Sequence, residues 1–297
     1  MTIFKQMNQF SISQLAQFSG IKAHTIRVWE QRYNALKPNR SEGNTRYYDN
    51  SQLRRLLNIV SLADHDYKVS ELSAMTDNEL FKLIRETTNQ TENESSNYFI
   101  FQIIAAGMSY DEVYFDKIFS HCLIRFGLKD TYLKVIYPTL ARMGLMWTSD
   151  TLPPAQEHFL SNLFRQKLFT AIDSLPPAKN DADSWLLFLP ENEFHEIGLL
   201  FAHYLVSLAG HKVIYLGSNV PFESFGDLSK EVPIKNILLF LVHHYSDEEA
   251  KQYLNDLATQ FSRKKIFVAC QQQISNNIQL KKEINWLSSV MDLEQIL

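Results

Sequence analysis

Residues 12–33 read Ile12-Ser13-Gln14-Leu15-Ala16-Gln17-Phe18-Ser19-Gly20-Ile21-Lys22-Ala23-His24-Thr25-Ile26-Arg27-Val28-Trp29-Glu30-Gln31-Arg32-Tyr33, and their spacing decides the first part of the fold. Ser13 is placed to cap a short helix carrying Leu15, Ala16 and Phe18, and Gly20 stops it in the left-handed conformation that glycine adopts cheaply. A second helix follows over 23–33 after a turn of three residues. Two short helices joined this tightly form a helix-turn-helix. Helical spacing turns Ile26, Trp29 and Tyr33 inward and puts His24, Arg27 and Gln31 on the outer face. Such a face, rich in donors and free of carboxylates, suits reading of the DNA major groove.

Downstream, Lys37-Pro38-Asn39-Arg40-Ser41-Glu42-Gly43-Asn44-Thr45-Arg46-Tyr47-Tyr48 contains Gly43-Asn44, a hairpin-turn signal. It makes a β-wing with Arg40 and Arg46 on either side. Arginines there fix register through phosphates without reading sequence. Leu53, Leu56, Leu57 and Val60 predict a third helix that closes a small core.

Charge supports a polyanion partner for this head. Residues 1–60 hold nine Lys/Arg against three acidic residues, a net +6, in a chain of 297 residues whose total is −4. The body is therefore acidic. The length calls for two or three domains, and 45% apolar with 21% charged residues excludes general disorder. Two cysteines, Cys122 and Cys270, exclude a disulfide framework and a Cys-rich zinc site. No apolar run is long enough to span a bilayer and the first residues open no secretory segment, so the expected address is the cytoplasm, with no membrane partner.

The ordered set Ile12, Leu15-Ala16, Gly20-Ile21, Thr25-Ile26-Arg27, Trp29-Glu30, Arg32-Tyr33, Leu36, Pro38, Arg40 and Arg46-Tyr47 resembles the MerR-type winged helix-turn-helix family over about the first 75 residues. Lys22 departs from that pattern, standing where a helix-capping Ser or Asp is expected. The resemblance implies a dimeric transcription factor on a two-fold double-stranded operator. His24, Arg27 and Gln31 would then face the major groove, and Arg40, Arg46 and Tyr47 would contact backbone from the wing.

Beyond the head (1–75), residues 76–97 read as a linker, with 89–97 polar throughout. Apolar helical patterns over 99–106, 110–126, 129–144 and 155–174, separated by Gly107, Gly127 and Gly144, predict a four-helix bundle over 98–178. The last begins after Pro153-Pro154. From 180 to 297 the period changes. Short apolar runs at 185–189, 212–216, 237–242 and 265–268 alternate with helical stretches near 195–209, 222–230, 246–262 and 273–284. That alternation predicts a buried parallel sheet, a Rossmann-like, flavodoxin-like domain. The fold class is thus multidomain, α followed by α/β.

Ligands of such sheets sit beyond the carboxyl ends of strands. The first of those ends reads Pro190-Glu191-Asn192-Glu193-Phe194-His195-Glu196-Ile197-Gly198. A ligating His needs an acceptor for its other ring nitrogen, which Glu193 could supply, and Gly198 would admit a bulky ligand. A helix-capping or surface His is the plainer reading of the same spacing.

Acidic-x-His-x-x-Gly after the first strand is similar to the lower-axial-ligand motif of cobalamin-binding domains, and implies that His195 coordinates cobalt. Trp147 followed by Glu157-His158 resembles the motif that covers the upper, adenosyl face in cobalamin-dependent MerR-type photoreceptor repressors. Head, bundle and Rossmann-like domain stand in that family's order over essentially the whole chain. The resemblance implies an adenosylcobalamin or related cofactor, with Trp147, Glu157, His158, Glu193, His195 and Gly198 around it. It also implies self-association as a dimer or tetramer and a repressor that is no enzyme.

Three departures stand against it. A Ser-x-Leu after the third strand and a Gly-Gly after the fourth normally bury the cofactor's nucleotide tail. Here those positions read Leu241-Val242-His243-His244-Tyr245 and Val268-Ala269-Cys270-Gln271. Light-sensing members carry a His directly after the Trp, where this chain has Thr148. Two readings therefore remain: a sensor of cobalamin through His195, or a cobalamin-like domain turned to another ligand or a protein partner. His243-His244 and Cys270 near the same edge could create a different site, for example for a metal, but core or loop residues are the plainer reading of them. An enzyme is disfavoured by the missing Gly-rich phosphate loop, nucleophile-base pair and substrate domain.

Overall fold

Side chains close the ends of the first helices. The structure, a computed structural model, describes residues 10–40, 44–63, 67–87, 92–148, 154–226, 228, 232–242, 246–270 and 284–297. Helix α1 (Ile12–Ser19) is capped by Ser11 rather than Ser13. The Ser11 Oγ accepts from Gln14 N at 3.2 Å while Gln14 Oε1 accepts from Ser11 N at 2.8 Å. This reciprocal box places the start two residues earlier than expected. Gly20 ends α1 at φ 74°. Helix α2 (Ala23–Tyr33) follows, its cap residue Lys22 making no side-chain bond, in keeping with the expected departure there.

The wing is a hairpin of β1 (Asn39–Arg40) and β2 (Arg46–Tyr47), extended by a bridge between Phe10 and Tyr48. Gly43 lies outside the described residues; Asn44 takes φ 60°. Helix α3 (Asn50–Ala63) supplies Leu53, Leu56, Leu57 and Val60 to a core shared with Leu15, Phe18 and Ile26, all buried. Helix α4 (Val69–Ala74) completes the head.

The stretch 76–97 is not simply extended. It holds α5 (Asp77–Thr87) and the start of α6 at Glu92. Thr76 and Glu79 exchange capping bonds at the start of α5, and Leu80 and Ile84, one turn apart, bury its apolar side. Helices α6 (Glu92–Met108), α7 (Glu112–Thr131), α8 (Tyr137–Thr148) and α9 (Pro154–Asp173) follow, with a π-turn over Tyr132–Ile136 between α7 and α8. Gly107 and Gly144 lie inside helices instead of separating them. Gly107 is there for packing: a Cβ on it would stand 2.3 Å from Leu160 Cδ1, so α9 crosses α6 where no side chain intervenes. Gly127, at φ 70°, breaks the helical path within α7.

The chain divides into two compact units, Met1–Leu163 and Phe164–Leu297, the boundary falling within α9. The second unit contains β3 (Ser184–Pro190), α10 (Glu196–Leu208), β4 (Lys212–Val220), β5 (Asn236–Leu241), α11 (Asp247–Gln260), β6 (Lys265–Cys270), β7 (Asn285–Leu287) and α12 (Val290–Ile296). The five strands are parallel in the order β4-β3-β5-β6-β7, the flavodoxin-like arrangement. Every residue of β3 is buried, as its unbroken apolar run requires of a strand covered on both sides. The expected strands all form, and β7 is an addition; the helix expected over 273–284 lies almost wholly outside the described residues.

Candidate nucleic-acid face and ligand-binding edge

Helix α2 presents His24, Arg27 and Gln31 at spacings of three and four residues, and all three are exposed. Ile26 is fully buried beneath them, while Trp29 and Tyr33, expected inside, are half-buried. The only acidic residue of α2, Glu30, is turned away from the outer face. Its Oε1 accepts from Arg46 Nε at 3.1 Å and its Oε2 from the Tyr48 hydroxyl at 2.7 Å. Burial, reinforced by Glu30, holds the Tyr48 hydroxyl well above its ordinary pKa, so it stays a donor. The carboxylate is thereby neutralised, and α2 shows solvent a face of positive charge and donors.

In the wing, Arg40 is exposed and its Nη1 donates to Asn44 Oδ1 at 2.6 Å. Arg46 is half-exposed and joined to Glu30, so it braces the wing against α2 as well as facing solvent. Tyr47 is half-buried. Two of the nine basic residues serve the fold instead. Arg55 donates to the carbonyls of Ala35, Ser73 and Met75 and pairs with Asp77 at 2.6 Å, joining the end of α2 to the α4–α5 turn. Arg54 pairs with Asp111 at 3.3 Å and lies over the Tyr114 ring. No sequence signal distinguished these two from the surface arginines, because their partners are distant in the chain.

In the second unit β3 lies between β4 and β5, so the connections that leave β3 and β5 at the carboxyl edge run in opposite directions. Glu193 sits in the loop after β3 with none of its surface exposed. Its Oε1 accepts from Phe194 N at 3.0 Å, His195 N at 3.1 Å and His195 Nδ1 at 2.5 Å. Its Oε2 accepts from Val242 N at 3.0 Å, the first amide after β5. Two backbone bonds, Glu193 N to Pro190 O and Asn219 N to Glu193 O, tie the same loop to the ends of β3 and β4.

His195 is the cap residue of α10, yet its side chain makes no capping bond and is 61% exposed. Of the plainer reading, a helix-capping or surface residue, the position and the exposure hold, while the side chain makes no cap. In the neutral imidazole, Nδ1 donating to Glu193 leaves the lone pair on Nε2, the form that ligates metals. Gly198 lies in the first turn of α10, and Phe194 and Val242 are exposed in the two loops of this edge. This donor set fits an axial ligand of a corrinoid cobalt. The tail positions differ: Leu241 is buried, and Ala269 and Cys270 are half-buried. His243 and His244, part of the alternative metal site, lie outside the described residues; Cys270 is in no disulfide. Among the described residues no cluster of three or more His, Cys, Asp or Glu side chains is placed to hold a metal ion.

Behind His195 is a polar cluster that the sequence did not reveal. Glu196 accepts from the Tyr215 hydroxyl at 2.9 Å and pairs with Arg165 at 3.3 Å. Tyr215 stacks on His203 with centroids 5.0 Å apart. Burial, with Glu196 adding to it, raises the Tyr215 pKa, and burial brings the His203 imidazole down to about 4, leaving it neutral. In the first unit, Trp147 lies in the last turn of α8, its side chain outside the described residues, and Thr148 ends that helix. Glu157 and His158 open α9. Glu157 accepts from the Ser161 hydroxyl and lies 3.0 Å from Nδ1 of the exposed His158.

Residues 10–79 match the model of the MerR HTH family regulatory protein, and residues 100–171 match that of the B12 binding domain. The chain is 28% identical over 221 residues to the HTH-type transcriptional repressor CarH of Myxococcus xanthus, covering 73% of each. It is 28% identical over 247 residues to the repressor CarA of the same organism, covering 82% of this chain and 81% of the relative. Among solved structures, the monomethylamine corrinoid protein of Methanosarcina barkeri superposes with a TM-score of 0.50 at 13% identity, over 68% of this chain and 93% of that one. At that identity the likeness concerns the fold alone. The chain thus carries a MerR-type helix-turn-helix and a B12-binding domain, with a Rossmann-like sheet after them.

Proposed function

We propose that this MerR-type regulator binds a two-fold operator as a homo-oligomer and that a corrinoid held by His195 sets its assembly state and hence its DNA affinity. The observation that carries the ligand reading is the buried Glu193 holding the imidazole of His195 by Nδ1, with the ring at the surface of the β3–β5 edge. On DNA, His24, Arg27 and Gln31 meet base edges, while Arg40, the remaining amines of Arg46 and Tyr47 meet the backbone. Two-fold operators require at least a dimer, and mass action does the rest: a ligand that favours one assembly shifts the population toward it. The two curated relatives are repressors by name, which favours repression and a regulator rather than an enzyme.

When bound, a corrinoid would supply a cobalt centre able to exchange a ligand, a chemical change that a regulator can read. His195 would hold the cobalt through its Nε2. Glu193 fixes its tautomer, and through Val242 N it holds the two loops of the edge together. Trp147, Glu157 and His158 are the residues proposed for the upper face. Thr148, in place of the histidine of light-sensing relatives, argues for response to ligand rather than to light. A second reading, a domain serving another ligand or a protein partner, is favoured by the side chains of Ala269 and Cys270 where the resemblance expects glycines. The protein is proposed to be cytoplasmic; no helix of the described residues is long and apolar enough to cross a membrane.

The test is an absorbance spectrum after incubation with adenosylcobalamin in the dark and desalting. The expected result is a stoichiometric corrinoid band in wild type that is lost in His195→Ala, with operator binding measured in parallel with and without the ligand. Absence of the band in wild type would remove the corrinoid reading and favour the second one.

A further inference from the structure

The turn between α1 and α2 fixes the angle at which the outer face of α2 is presented, so whatever holds that turn controls recognition. Helix α1 ends with carbonyls that have no partner inside the helix. Ser19 Oγ donates to Leu15 O at 2.7 Å and Ala16 O at 3.5 Å. The next two carbonyls are taken by a residue more than 120 positions away. Arg142 Nη2 donates to Phe18 O at 2.8 Å and lies 3.5 Å from Gln17 O. The same nitrogen would stand 3.5 Å from a Cβ on Gly20, which places the guanidinium directly over the turn.

Arg142 belongs to α8, in the bundle, and its guanidinium also lies over the Phe101 ring of α6 at 4.7 Å. Among the described residues no carboxylate pairs with it, and loss of solvation works against its charge. A half-buried cation kept at this position, when the negative end of a helix is its main compensation, points to a role in orientation. A second polar link supports a keyed head. Buried Asn58 of α3 accepts from Gln102 of α6 at 2.8 Å, and Gln102 accepts from the Tyr114 hydroxyl of α7 at 2.6 Å. Head and bundle therefore meet through specific hydrogen bonds as well as apolar packing. Five residues beyond Arg142, the same helix carries Trp147.

We infer that Arg142 is a positioning residue for DNA recognition: it caps α1 from the bundle and sets the helix-turn-helix turn, so operator affinity depends on where α8 stands. This rests on the DNA-binding reading given above. It supplies a physical route by which a ligand acting on the bundle reaches α2, through one helix and one guanidinium.

The test uses the full chain and the variants Arg142→Met, Arg142→Lys and Phe101→Leu. Methionine keeps length and apolar contact, and exchanging a poorly compensated buried charge for such a side chain is often tolerated. Hydrogen exchange of a peptide covering 12–22 should quicken in Arg142→Met while bundle peptides keep wild-type rates. Operator affinity should fall roughly tenfold, within the range of couplings carried through packed networks. The slope of log affinity against log salt should stay unchanged, because no phosphate contact is lost. Arg142→Lys should recover part of the affinity, and Phe101→Leu should show a smaller loss of the same sign. Equal operator binding by wild type and Arg142→Met would overturn the inference, as would a slope reduced by about one, which marks a direct phosphate contact. A wild-type chain that bound no operator would overturn the DNA-binding reading and the inference with it.

Discussion

Replacing Glu193 by Gln tests whether the β3–β5 edge is held as described. Four donors converge on this fully buried side chain: three N–H groups on Oε1 and the Val242 amide on Oε2. A carboxylate satisfies all four; a carboxamide has one acceptor oxygen and an NH2 that must face another donor. If the oxygen keeps the three contacts of Oε1, the NH2 confronts Val242 N–H, and a buried amide left without its acceptor costs about 1–3 kcal/mol. The three remaining bonds lose their charge assistance, which adds about 1–2 kcal/mol. A local destabilisation of about 2–5 kcal/mol raises the opening equilibrium by about 30-fold or more. Hydrogen exchange should show it at the amides of Phe194, His195 and Val242, with α11 amides unchanged. The same variant should weaken the corrinoid band, since His195 Nδ1 then faces a neutral amide oxygen in place of a carboxylate. Exchange within about threefold of wild type at those amides would refute the argument that Glu193 joins the two loops. The shorter Glu193→Asp keeps the charge but lacks the reach, and should release Val242 while retaining the His195 contact.

Gly107→Ala sets a Cβ 2.3 Å from Leu160 and should cost about 1–3 kcal/mol of overpacking, whereas Gly144→Ala meets nothing within 4 Å and should gain about 0.5–1 kcal/mol of helix propensity; urea denaturation of the two variants would show opposite shifts in midpoint. His203 is held neutral by burial, with its pKa down to about 4 from an unfolded value of 6.5. Its folded form resists protonation, so its contribution to stability is complete above pH about 6.5 and is lost as pH falls toward 4. His203→Phe keeps a ring against Tyr215 and should flatten that part of a stability–pH curve. Arg40→Ala should weaken binding to all DNA sequences alike and reduce the salt slope by about one, while Arg27→Ala should cost about 1–3 kcal/mol chiefly on the specific operator; titrations at several salt concentrations separate the two.

Local pattern made much of this architecture readable. The span of α2 and the outward facing of His24, Arg27 and Gln31 follow from 3.6-residue spacing after Gly20. The β3 strand follows from a short apolar run that alternates with helical stretches. The cap of α1 was misplaced by two residues because Ser11 and Ser13 are chemically alike; what distinguishes them is that Gln14 can return a bond to Ser11. Gly107 looked like a helix stop because glycine has the lowest helix propensity after proline, and only the crossing of α9 explains it inside α6. The short strand β7 carries too few residues for a periodic signal, and its parallel pairing with β6 is non-local.

The candidate sites divide in the same way. The residue types and their order pointed to a DNA-binding head and to His195 at a strand end, because those signals are contained in stretches of a few residues. Partnership decided the rest: that Glu30 is neutralised by Arg46 and Tyr48, that Arg55 and Arg142 serve the fold rather than the surface, and that Glu193 reaches the amide after β5. Each of these joins groups from 16 to more than 120 residues apart in the chain. A charged side chain has the same formula on a wet surface and against a buried carbonyl. Only the tertiary structure, by withdrawing water and supplying a particular partner, determines which of the two it is.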